Sequence, residues 1–182
     1  LVDFALAELG GIDVLVCNAG ITGKPGPFSG IDMADYARVL DTNLTSQVEL
    51  CNLALPHIAA GGGGAAILVS SIAGLRGNGR INAYALAKAG VAQLARNLAV
   101  EWGPSNVRVN AISPGFIATE LSGPLLADEE FMARRMALTP LRRPGTPSEV
   151  AGAAVFLASP AGAFVSGHNL VVDGGTLITD GS

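Results

Sequence analysis

The sequence predicts an α/β fold, parallel strands linked by crossover helices, from two observations. Short apolar runs (IDVLVC at 12–17, AAILVSS at 65–71, VRVNAIS at 107–113, NLVV at 169–172) alternate with longer segments of helical period. Strands buried on both faces of a parallel sheet read this way. The composition agrees, because 49% apolar and 14% charged residues with 24 glycines suit a core in which helices and strands approach closely. At 182 residues the chain is long enough for one domain with a sizeable core, and residues 1–182 are expected to form it.

Residues 3–9 complete a helix that Gly10-Gly11 ends, and 12–17 is expected to be a strand buried on both faces. Asn18-Ala19-Gly20 then turns out of the sheet. After the Gly/Pro loop 21–31, Asp32 starts a helical pattern running through Tyr36, Val39, Leu40, Leu44, Val48 and Cys51, with Asn43 inside it. A polar residue there often bonds only its own backbone. The run at 61–66 contains G-x-G, but it follows a helix and opens a strand, the reverse of a phosphate-binding loop. The strand at 65–71 carries Ser71 at its carboxyl end, where open α/β sheets bind ligands.

The segment NAYALAKAGVAQLARNLAVEW at 82–102 is a helix, and Tyr84 and Lys88, four apart, share one of its faces. A phenol has an ordinary pKa of about 10, and a cation within reach lowers it by roughly 1–3 units. Tyr84 is therefore a candidate general acid/base, with the hydroxyl of Ser71 beside it to hold a carbonyl or alcohol. Taken alone, the pair also suits a helix-face aromatic and a solvated lysine. The alanines Ala83, Ala87, Ala95 and Ala99 are read as an outer face compatible with close helix approach.

Beyond the strand at 107–112, Pro114-Gly115-Phe116-Ile117-Ala118-Thr119 leaves the ligand side of the sheet. Residues 120–143 surround a short amphipathic piece, DEEFMARRM, and are read as a lid that orders over the substrate. Phe116, Leu121, Leu125 and Met132 suggest an apolar pocket, with Asn78 and Arg80 as polar contacts at its mouth. Thr146-Pro147-Ser148-Glu149 opens a helix to Leu157 with a capping box and Pro at the first position. The last strand, 169–172, ends at Asp173-Gly174-Gly175.

In order and spacing, Asn18-Ala19-Gly20, Asn43, Ser71 thirteen residues before Tyr84, Lys88, Pro114-Gly115 ahead of Ile117 and Thr119, and the closing V-D-G-G resemble the short-chain dehydrogenase/reductase family. The resemblance covers essentially the whole chain. It implies a doubly wound, Rossmann-like parallel sheet and a catalytic tetrad of Asn43, Ser71, Tyr84 and Lys88. It also implies NAD or NADP as cofactor, bound by Asn18, Ala19, Gly20, Tyr84, Lys88, Pro114, Gly115, Ile117 and Thr119. The implied reaction interconverts an alcohol and a carbonyl, with the substrate at Ser71, Tyr84 and Phe116. In such proteins the Asn43 position holds a water that connects Lys88 to solvent. A homotetramer is implied too, in which the Asn43 and Tyr84 helices pack against symmetry mates. Finally, the resemblance places a glycine-rich turn and three strand-helix units before Leu1, on the order of 70 residues. The chain is then N-terminally truncated, keeping the strands after the first three, and the residue that separates NAD from NADP lies outside it.

A net charge of −4 without a basic cluster argues against nucleic acid or an anionic membrane as partner. Pro56 with four consecutive glycines, and Pro160 with Gly162 and Gly167, interrupt the two longest charge-free stretches, so no membrane helix is expected. Residues 1–10 lack the basic start and apolar centre of a signal peptide. Cys17 and Cys51 lack metal-ligand spacing and are read as reduced thiols of a cytoplasmic protein with no metal site. Hydrolysis at Ser70 or Ser71 lacks a G-x-S-x-G elbow, and His57 and His168 are remote in sequence. The rival reading from another class is an incomplete, non-catalytic fragment or oligomer partner that keeps the tetrad without binding cofactor.

Overall fold

A computed structural model describes residues 1–179. The last three residues of the expected 1–182 domain lie outside the described residues. The strands β1 (Val14–Cys17), β2 (Gly64–Val69), β3 (Val107–Pro114) and β4 (Asn169–Val172) pair in parallel and lie side by side in chain order. Cys17 stands opposite Leu68, Val69 opposite Ile112, and Pro114 opposite Val172. Every carboxyl end therefore opens on one edge of the sheet.

Helix α1 (Val2–Leu9) stops at Gly10, whose φ of 75° is the left-handed conformation that glycine adopts without strain. Helix α2 (Met33–Leu40) starts at Asp32, whose carboxylate accepts the N–H groups of Ala34 and Asp35. The single helix expected through Cys51 is interrupted by a π-helical turn, Asp41–Thr45, before α3 (Ser46–Ala60). Side chains compete with the backbone there: Asn43 donates to the Val39 carbonyl at 2.8 Å, and Ser46 to that of Thr42 at 2.7 Å. Helix α4 (Asn82–Trp102) has the bounds that its sequence period indicates. Helices α5 (Gly123–Leu126) and α6 (Glu129–Ala137) occupy the 120–143 segment, and α7 (Pro147–Ala158) begins with the expected Thr146–Glu149 capping box.

Alternation along the strands splits the core in two. Ala66 and Leu68 of β2 and Val107, Val109 and Ala111 of β3 meet Cys51, Leu55 and Ile58 of α3 and Val91, Ala95 and Leu98 of α4. Ile67 and Ile112 point the other way, to Leu157 of α7. The sheet is thus wound on both faces. Two expectations are corrected. The α4 alanines are an inner face: Ala83, Ala87 and Ala95 are buried, and Ala99 packs on the same core. Their small size lets α4 lie close to the sheet. Strand β1 is covered on one face only, because α7 packs over β2, β3 and β4, so Val14 and Val16 remain 44% and 49% exposed.

Candidate active site

Three chain segments that leave the carboxyl edge of the sheet, together with α4 and α7, enclose a cavity of about 690 Å³. Asn18 and Gly20 follow β1, Ser71 follows β2, Pro114 ends β3, and Gly115, Phe116, Ile117 and Thr119 follow it. Tyr84 and Lys88 enter from the first turns of α4, one helical turn apart on the face toward β2.

The two serines after β2 have different fates. Ser70 is buried, and its hydroxyl donates to the Lys88 carbonyl at 2.6 Å, which ties the strand end to α4. Ser71 is extended and caps the 3-10 turn Ile72–Gly74, its Oγ accepting the Ala73 N–H at 3.1 Å. Its hydroxyl also stands at the Tyr84 phenol, whose pKa it pulls down.

Lys88 is only 3% exposed, and its Nζ donates to the Val69 carbonyl at 2.7 Å. The ammonium lies over the Tyr84 ring, 5.6 Å from the centroid. The expected lowering of the phenol by this cation is not what the geometry produces. Burial pushes the Tyr84 pKa above its ordinary value, and the Ser71 hydrogen bond opposes this without overcoming it. Burial likewise lowers Lys88 to about 8. The desolvation that excludes water from the site therefore weakens the cation meant to tune the phenol.

Asn43 is fully buried and does not itself line the cavity, but it lies against Gly20, which does. Its Nδ2 donates to the carbonyls of Val39 and Ile21 at 2.8 Å each, and its Oδ1 accepts the Ile21 N–H at 3.2 Å. The side chain thereby bonds backbone and ties the π turn to the segment after Gly20. A Cβ on Gly20 would come within 2.6 Å of Asn43 Oδ1 and 3.4 Å of Lys88 Nζ, so only glycine fits between the two. Ala19 is exposed beside the cavity and does not line it.

Across the site, Gly115 donates to the Val172 carbonyl at 2.9 Å, and a Cβ there would meet Asp173 Cα at 2.7 Å. The Ile117 carbonyl accepts from Ser122 Oγ at 2.7 Å. The Ile117 N–H has no hydrogen-bond partner among the described residues, which leaves a donor at the cavity wall. Leu121 and Leu125 line the cavity as expected, whereas Met132, Asn78 and Arg80 do not. Asn78 instead accepts the N–H groups of Arg80 and Ile81 at the entry to α4. Neither histidine lines the cavity. Sequence reasoning missed the wall contributed by α7 (Val150, Ala151, Ala154) and the floor of Val16, Val69 and Ile112. The available signal was that PSEVAGAAVFLA is apolar on more than one face.

Residues 1–176 match the family described as enoyl-(acyl carrier protein) reductase. The chain is 47% identical over 176 residues to cis-4-hydroxycyclohexanecarboxylate dehydrogenase of Sinomonas cyclohexanicum, which covers 96% of this chain and 70% of that protein. A crystal structure of 7α-hydroxysteroid dehydrogenase with NADH and 7-oxo glycochenodeoxycholic acid superposes with a TM-score of 0.89 at 40% identity, over 96% of this chain and 67% of the other. Gluconate 5-dehydrogenase from Burkholderia cenocepacia, solved with NADP and tartrate, superposes with a TM-score of 0.93 at 32% identity, over 98% and 69%.

Proposed function

The chain belongs to the short-chain dehydrogenase/reductase family of NAD(P)-dependent oxidoreductases, and from that premise we propose that it interconverts a secondary alcohol and a ketone with Tyr84 as general acid/base. The observation that carries the reading is that Ser71, Tyr84 and Lys88 line one cavity, with the Lys88 ammonium over the Tyr84 ring, while the Ser70 hydroxyl is spent on α4. Ser71 donates to the substrate oxygen, and Tyr84 holds the proton that this oxygen gains or loses. Lys88 supplies positive charge next to the ring. Asn43 acts through position, keeping Gly20 against Lys88.

The residues present fit a nicotinamide dinucleotide. The free Ile117 N–H is a donor for a carboxamide, and Gly20 lets the chain after β1 lie directly against Asn43 and Lys88 at the cavity wall. Asn18, Ala19, Gly20 and Lys88 would hold the ribose, and Pro114, Gly115, Ile117 and Thr119 the carboxamide end. When bound, NAD or NADP supplies or accepts the hydride. The 120–143 segment serves as the lid, with Leu121 and Leu125 against the substrate. The reading includes a cytoplasmic homotetramer assembled through α3 and α4, whose outward Leu53, Leu86 and Val100 are 61%, 48% and 81% exposed. Among the described residues no helix is long and apolar enough to cross a membrane.

The test is a fluorescence titration with NADH and with NADPH, followed by turnover on cyclic ketones. Tyr84→Phe is expected to keep dinucleotide affinity and lose about 10²–10⁴-fold in kcat. Unchanged turnover would remove Tyr84 from the chemistry. Absence of binding to either dinucleotide would favour the non-catalytic alternative.

A further inference from the structure

Arg135 stands out among the arginines. Arg38 and Arg143 pair with carboxylates, Arg108 donates to the Ala158 carbonyl at the end of α7 and to that of Gly162 beyond it, and Arg96 donates to Gln93. The Arg135 guanidinium is half-buried, makes no ion pair among the described residues, and has a buried Nε without a hydrogen-bond partner. It lies over the Phe116 ring, 5.9 Å from the centroid, and Phe116 lines the cavity. A half-buried guanidinium without a carboxylate partner leaves its outer N–H groups as donors for an acceptor from outside the chain. Arg76, on the segment that follows Ser71 and its 3-10 turn, adds a second cation without an ion-pair partner among the described residues.

We propose that Arg135, stacked on the Phe116 wall of the cavity, forms an anion-binding subsite with Arg76, and that the substrate is a hydroxy or oxo acid whose carboxylate docks there. Its reacting carbon then lies at Tyr84, with Phe116, Leu121 and Leu125 along the apolar body between. The proposal deepens the alcohol/ketone reading and rests on it. Burial, and after it the neighbouring Arg76, lowers the Arg135 pKa, and Asp173 works the other way. The Asp173 carboxylate accepts the N–H groups of Gly175 and Leu177, both at 2.8 Å, and forms no ion pair with Arg135. The two guanidiniums and the one carboxylate whose charges act on Arg135 sum to a single positive charge, which a carboxylate monoanion neutralises and a phosphate dianion overfills.

The experiment compares 4-oxocyclohexanecarboxylate with its methyl ester as substrates and measures calorimetric binding of cyclohexanecarboxylate as a readout independent of turnover. Arg135→Gln is expected to cut kcat/KM for the acid about tenfold to a hundredfold, mainly through KM, while leaving the ester unchanged. Arg76→Gln has a smaller effect of the same kind and, being exposed, keeps the test available should Arg135→Gln misfold. Added salt erodes the preference for the acid. Equal turnover of acid and ester, with both variants affecting them alike, overturns the subsite and leaves the oxidoreductase reading intact. Carboxylate binding that Arg135→Gln weakens about tenfold, without reduction of either ketone, upholds the subsite and overturns the hydride-transfer reading. Inorganic phosphate displacing the carboxylate at lower concentration than the carboxylate itself requires overturns the assignment.

Discussion

Lys88 carries opposing demands of chemistry and stability. It is 3% exposed, its Nζ donates to the Val69 carbonyl, and burial lowers its pKa from 10.5 to about 8. Below about pH 8 the lysine is protonated in both folded and unfolded chains, and the fold bears the full cost of the buried charge, roughly 3 kcal/mol for a shift of this size. Between about 8 and 10.5 the unfolded chain holds more protons, so stability rises with pH; above 10.5 the cost is gone. Lys88→Met should therefore unfold at higher urea than wild type at pH 7, by about 2 kcal/mol once the orphaned Val69 carbonyl is subtracted. That margin should shrink toward pH 10.5. A margin independent of pH would contradict the buried-charge account. The same shift bears on turnover. Tyr84 titrates above its ordinary value, so a decline in kcat/KM for ketone reduction as pH passes about 8 belongs to Lys88, and the pH profile of Lys88→Met should lack it.

At the scale of elements, the site depends on how closely α4 approaches the turn after β2. A Cβ on Gly74 would fall 2.5 Å from the Ala89 N and 2.7 Å from the Lys88 carbonyl carbon, both backbone atoms that cannot swing aside. Gly74→Ala should cost about 1–3 kcal/mol in urea denaturation. It should also lower kcat by parting Ser71 from Tyr84, with little change in dinucleotide affinity. Wild-type stability in this variant would show that the contact yields freely. The four-residue spacing of Tyr84 and Lys88 was legible in sequence because helical period alone sets it. Their depth was not legible, because it depends on which face of α4 meets the sheet, and the alanines that turn inward looked equally suited to an outer face. Residue type alone does not separate Ser70 from Ser71; only the thirteen-residue spacing to Tyr84, read through the family resemblance, singles out Ser71. Their roles follow from the strand ending at Val69 and the chain entering a 3-10 turn at Ile72. The π turn at Asn43 arises from side-chain bonds to carbonyls one turn back, which hydrophobic period does not register.

For the molecule as a whole, the two faces of the sheet are unequally covered. Helices α3 and α4 close one face from β1 to β3, whereas α7 closes the other only from β2 to β4. Strand β1 ends the sheet order: it pairs with β2 alone among the described residues and presents Val14 and Val16 outward. An apolar edge strand with free N–H and C=O groups is a template for pairing with another chain, and a lysine at such an edge opposes that pairing through charge and desolvation. Val16 lines the cavity, so Val14 is the position at which to test this. Val14→Lys should lower light scattering of concentrated protein and raise the soluble fraction after heating. Dinucleotide binding should be unchanged, because Val14 does not line the cavity, and β1 should keep its register, because Leu15 and Cys17 still anchor it in the core. If scattering persists in Val14→Lys and instead falls on replacing Leu53 and Leu86 by glutamate, association runs through the outer faces of α3 and α4 rather than the sheet edge.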